Sequence, residues 1–165
     1  MTDTTPDPTL DRLLRHMAWA NAQLIARLVE QPVVALALTA PHNEWPAGRN
    51  LAHLLNAAQA FASLMEGVAR PADVATPASA TELADLGTRL AVTDASLIAQ
   101  AIEPDALISH PDPTRGRGLR STILAQAIHH ATEHRAQIAA ALATNGNDAI
   151  DLDAIDLWEF SDSNG

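Results

Sequence analysis

Four stretches of the chain repeat leucine and alanine at the three-and-four spacing of a helix, and each stops at proline or glycine. Leu10, Leu13, Leu14, Met17, Leu24, Ile25 and Leu28 form the first stripe. Leu51, Leu54, Leu55, Ala58, Phe61, Ala62 and Met65 form the second. Leu83, Leu86, Leu90, Leu97, Ile98 and Ala101 form the third, and Ile123, Leu124, Ala127, Ala131, Ile138 and Leu142 the fourth. Such spacing lays one apolar face along each helix, and that face must be buried against another. The expected fold is therefore all-α: a single four-helix-bundle domain over residues 1–165, with 1–8 and 161–165 flexible.

Local signals set the helix limits. Asp7-Pro8 reads as an N-cap followed by proline in the first turn. Ser79-Ala-Thr-Glu82 is a capping box. Ser121 or its neighbour is expected to cap the fourth helix, and Gly67, Pro104 and Asn145-Gly146 close helices. Residues 104–120 are rich in proline and glycine, and Leu107-Ile108 can pair with Leu119 as a short ribbon. The tail is expected to dock Ile155, Trp158 and Phe160 on the bundle. Trp45 is expected to plug one end of the core.

Composition removes several kinds of chemistry. The chain has no cysteine, so disulfides, thiolate nucleophiles and cysteine-held zinc are out, and a thiol reaction would need an external thiol. Net charge is −10, which disfavours nucleic acid as a partner, the basic cluster Arg115, Arg117 and Arg120 notwithstanding. The acidic N-terminus does not resemble a signal peptide, and no apolar run reaches the ~18 residues of a membrane span. A cytoplasmic location is expected.

The chemistry concentrates in the fourth stripe. His130 and His134 lie four residues apart, one helical turn, and so share a face that points into or beside the apolar arc. His129 and Glu133 lie further round towards solvent. Two inward imidazoles need partners, whether backbone carbonyls, Asn21, or one metal ion shared by both. His53 sits on the second helix in a row with Ala57, Ala60 and Leu64, small neighbours that leave room above the ring, and it completes a three-histidine site. Three neutral imidazoles are the ligand set of an open metal site. Gln126, Gln137 and Glu133 are candidates to bond the ligands from behind. Arg135 is expected to pair with a carboxylate of the acidic tail, or to hold an anionic substrate. Asn21, on the apolar face of the first helix, is expected to line a polar pocket or bond a loop. His16, His42 and His110 are expected at the surface. His-Ala-Thr-Glu-His is not the zincin pattern, in which Glu directly follows the first His.

These residues resemble the DinB/YfiT-like superfamily of metalloenzymes. The matching pieces are Trp19-Ala-Asn21, Asn50-Leu-Ala-His53-Leu-Leu, and His130-Ala-Thr-Glu-His134-Arg135-Ala-Gln137-Ile138, which looks like the family's H-x3-H-R-G-Q pattern. Ala136 stands where glycine is common, and Glu133 where histidine often is. The resemblance implies His53, His130 and His134 as ligands of a divalent ion, nickel or zinc, and a homodimer. Some relatives are S-transferases or isomerases that use a low-molecular-weight thiol on a small-molecule substrate. The DNA-damage-inducible, stress-response label of the family concerns expression, not DNA binding. The leading expectation is thus a metal-dependent, thiol-dependent transferase. The alternatives are a non-catalytic stress-associated metal-binding bundle and a metal-dependent hydrolase.

Overall fold

A computed structural model describes residues 7–112, 114 and 116–164 of the chain. Residues 1–6 of the expected flexible lead, Arg115 of the basic cluster and Gly165 lie outside the described residues. Four long helices dominate: α1 (Pro8–Val29), α2 (Ala47–Glu66), α3 (Ala80–Ala99) and α4 (Arg120–Ala143). A two-stranded ribbon, β1 (Leu107–Ser109) and β2 (Arg117–Leu119), precedes α4, and a short α5 (Leu157–Asn164) ends the chain. The all-α expectation holds. Among the described residues no helix is long and apolar enough to cross a membrane.

The helix ends follow the local chemistry. Asp7 accepts from the N–H groups of Thr9 and Leu10, both at 2.9 Å, with Pro8 in the first turn. Gly67 closes α2 at φ 69°, the left-handed conformation that favours glycine. Ser79 Oγ accepts from Glu82 N–H at 3.2 Å, and the Glu82 carboxylate reaches back to Ala78 N–H at 2.7 Å. The start of α4 differs from expectation. Leu119 occupies its N-cap position and has no side-chain oxygen to offer. Asp105 supplies one from across the ribbon, accepting from Ser121 N–H and Oγ–H at 2.9 Å each. The ribbon pairs Leu107 with Leu119 and Ile108 with Gly118, so it brings Asp105 beside the helix start.

Inside, α1 packs on α3 and α4, and α2 packs on the same two helices. α1 and α2 therefore lie across one diagonal and α3 and α4 across the other, and the long connections 30–46 and 100–119 carry the crossings. Leu14, Leu24, Leu51, Leu55, Leu90, Leu97, Leu124 and Ile138 are fully buried. Each such side chain contributes about 2 kcal/mol of apolar burial. α3 turns Gly87 towards α1, where a Cβ would meet Ile25 Cγ2 at 2.6 Å.

The tail corrects three expectations. Ile155 is buried and Phe160 half-buried, but Trp158 is 81% exposed rather than docked. Residues 161–164, expected to be a loose end, continue α5. His16 is not a surface histidine. Its Nε2 lies 3.0 Å from the Ile155 carbonyl, and its ring sits beside Trp19 and Phe160. The cause is α5 itself, which lies on α1 and covers a face the helical stripe leaves polar.

Candidate metal centre

α2 and α4 are neighbours, and their contact brings together the three histidines singled out in the sequence. His53, His130 and His134 each offer a ring nitrogen within 4.8 Å of the others. The rings stand edge to face: His130 and His134 have centroids 4.3 Å apart at 84°, and His53 lies 5.1 and 5.0 Å from the two. His134 is buried, and the other two are partly exposed. The cluster thus lies at the edge of the core, open on one side.

The protonation states suit a cation. Burial is the main cause that lowers all three rings from their ordinary value, and His134 is pushed down to about 4. His130 and His53 add to the effect on His134, since adjacent imidazolium charges repel. Near pH 7 the three are neutral, the form in which imidazole binds a metal ion.

The outer partners fix the rings. His134 Nδ1–H donates to Asn50 Oδ1 at 3.3 Å, leaving Nε2 as the free lone pair. Asn50 is itself 1% exposed and donates to the Trp45 carbonyl at 3.2 Å. Trp45 is therefore not a plug at the end of the core. Its ring lies parallel to His134 at 6.4 Å and edge-on to His53 at 5.0 Å. Phe61 flanks His130 at 6.1 Å. His130 Nε2 is buried with no hydrogen-bond partner among the described residues. A buried polar atom without a partner costs about 1–3 kcal/mol, and coordination of a cation would remove that cost. The residues present fit a divalent ion.

The other sequence candidates divide clearly. His129, Glu133 and Gln126 are exposed, and Glu133 accepts from Gln137 Nε2 at 3.3 Å. His42 is exposed with φ 64°. His110 is half-buried rather than exposed, and its Nδ1 accepts from Asp112 N–H at 2.9 Å. Arg135 does not pair with the acidic tail. It is 3% exposed and donates to Asn21 Oδ1 at 2.8 Å and to Thr132 Oγ1 at 3.0 Å. Asn21 in turn donates to Asp94 Oδ2 at 2.9 Å, so the compensating carboxylate comes from α3. Asp94 is 2% exposed, and burial raises it to about 6 despite Asn21 and the Arg135 charge. Asn21, Asp94 and His130 line one small internal cavity of about 10 Å³.

Larger hollows lie elsewhere. Open grooves of about 880 and 680 Å³ flank the start of α1 and touch none of the three histidines. A model of the DinB family matches residues 1–161 of the chain. No curated protein was found to match it.

Proposed function

The chain belongs to the DinB family, and from that membership and the gathered imidazoles we propose a metal-dependent enzyme of the thiol-dependent S-transferase or isomerase type. His53, His130 and His134 are the proposed ligands, and nickel or zinc the proposed ion. The observation that carries this reading is the convergence of three neutral imidazoles around one point, with His130 Nε2 buried and unpartnered. An ion held there lowers the pKa of a coordinated thiol, which makes it a nucleophile near neutral pH. With no cysteine in the chain, that thiol is a small external molecule. The chain's own side chains do the rest. Asn50 holds His134 in the tautomer whose Nε2 is free, and Trp45 covers the His53–His134 side.

Elemental analysis of the purified protein tests the reading first. The expected result is about one divalent ion per chain, lost in His53→Ala. A screen of low-molecular-weight thiols against electrophiles tests the second half. Protein that carries no ion and binds none on addition would refute the proposal.

A second reading, a non-catalytic metal-binding bundle, is favoured by one observation. Glu133 is exposed and bonded to Gln137, so no acid–base side chain stands over the imidazoles from α4. The same fact weakens a metal-dependent hydrolase, which needs a base for its water. In the non-catalytic case chelation lowers thermal stability while the thiol screen stays blank. The reading places the protein in the cytoplasm as a homodimer, an assembly that light scattering would check.

A further inference from the structure

The imidazole cluster is fringed by one cation that the fold leaves unused. Arg49 lies one turn before His53 on α2, so the two residues share a face of the helix. Its guanidinium carbon sits 4.2 Å from the centre of the Trp45 ring. Arg49 is exposed, and its guanidinium makes no hydrogen bond or ion pair with any described residue. Arg70, the other cation near His53, is engaged by Asp73. The backbone that carries this indole is fixed. Asn43 Oδ1 accepts from the Trp45 backbone N–H at 3.0 Å, and Asn50 Nδ2 donates to the Trp45 carbonyl at 3.2 Å.

We infer that Arg49 and Trp45 form a recognition element for an organic carboxylate, the guanidinium pairing with the anion while the indole packs against its apolar body. This rests on the metal reading for its role in catalysis, because it places the acid group of the substrate or thiol beside the three imidazoles. Three arguments support it. A guanidinium presents paired N–H groups that match the two carboxylate oxygens, and stacking on an indole holds its plane still. The remainder of the chain is strongly acidic, with net charge −10, so an unpaired arginine beside neutral imidazoles is a local positive spot that attracts anions the rest of the surface repels. The larger grooves of about 880 and 680 Å³ lie away from the histidines, so discrimination at the cluster depends on the side chains at its rim.

The test uses the full chain, ¹⁵N-labelled and stripped of divalent ions by chelation. It is titrated separately with benzoate and with benzylamine, which share a ring and differ in charge. The Trp45 indole resonance is assigned as the one missing from Trp45→Phe. Benzoate is expected to move that resonance at millimolar concentration, and benzylamine to leave it in place. Arg49→Gln is expected to weaken benzoate by about fivefold, the worth of a partly exposed ion pair. Arg49→Lys keeps the charge without the planar fork and is expected to fall between. No response to benzoate, an equal response to benzylamine, or an unchanged affinity in Arg49→Gln overturns the inference. A zinc titration of the same sample by calorimetry reads the ion site separately. Zinc binding without carboxylate discrimination removes this inference alone, and discrimination without zinc binding removes only the metal reading.

Discussion

Replacing Asp94 by asparagine tests how the buried polar network is held. Asp94 is 2% exposed, and its carboxyl is raised from 3.8 to about 6 by burial. For an acid the sign is unfavourable. The folded chain holds the proton more tightly than the unfolded one, so stability present below 3.8 is lost as pH rises to about 6. The gap between 3.8 and about 6 corresponds to about 3 kcal/mol at pH 7. Asp94→Asn removes that cost and keeps an acceptor for Asn21 Nδ2. It also places an amide N–H₂ where Oδ1 now stands buried without a partner among the described residues. An orphaned donor costs about 1–3 kcal/mol. Arg135 keeps its bonds to Asn21 and Thr132. The expected result at pH 7 is a variant as stable as the parent or up to about 2 kcal/mol more stable. Near pH 4.5, where Asp94 is already protonated in the folded chain, the variant should be the less stable of the two. Urea unfolding at both pH values measures this. A loss above about 2 kcal/mol at pH 7, or the same difference at both pH values, would show that the ionised carboxylate is what balances Arg135, and the reasoning would fall.

Four further outcomes follow from the geometry. Asn50→Ala should leave the fold intact but weaken zinc or nickel binding about 10–100-fold by calorimetry, because His134 loses the bond that sets its tautomer. Between pH 6.5 and about 4 the metal-free protein should lose stability as pH falls, since His134 is lowered to about 4 and His53, His130 and His16 are lowered as well. Asp94 opposes this over part of the window, so Asp94→Asn should steepen the loss; a flat profile would contradict the assignment. Gly87→Val should cost about 1–3 kcal/mol in urea unfolding, because even a Cβ there meets Ile25 at 2.6 Å. Gly67→Ala has open space around it and should cost only the strain of its left-handed backbone.

What could be read from the residues depended on how local the cause was. Pro8, Gly67 and the Ser79–Glu82 box act within one turn, and their helices begin and end where expected. His130 and His134 were legible because four residues is one turn, and His53 because its helical neighbours are small. Asp94 was missed although a signal existed. It falls on the buried stripe of α3 between Leu90 and Leu97, as Asn21 falls on that of α1 between Met17 and Leu24. Two polar breaks on two buried faces call for each other. The position of Trp45 depends on the turn before α2, whose backbone bonds have no periodic signature. Trp158 and Phe160 are two residues apart on a helix too short for periodicity to say which faces inward. Asp105 caps α4 only because the ribbon folds back, a contact of long sequence separation.

The three imidazoles come from two helices that are distant along the chain, and this links the site to assembly of the whole molecule. His53 precedes α3 and the ribbon, while His130 and His134 follow them. An ion bound by all three would act as a reversible cross-link across the loop from residue 54 to residue 129. In the unfolded ensemble such a closure restricts the chain, and its entropic weight grows only slowly with loop length. Metal affinity and resistance to unfolding would then rise and fall together through a constraint that no side-chain packing provides.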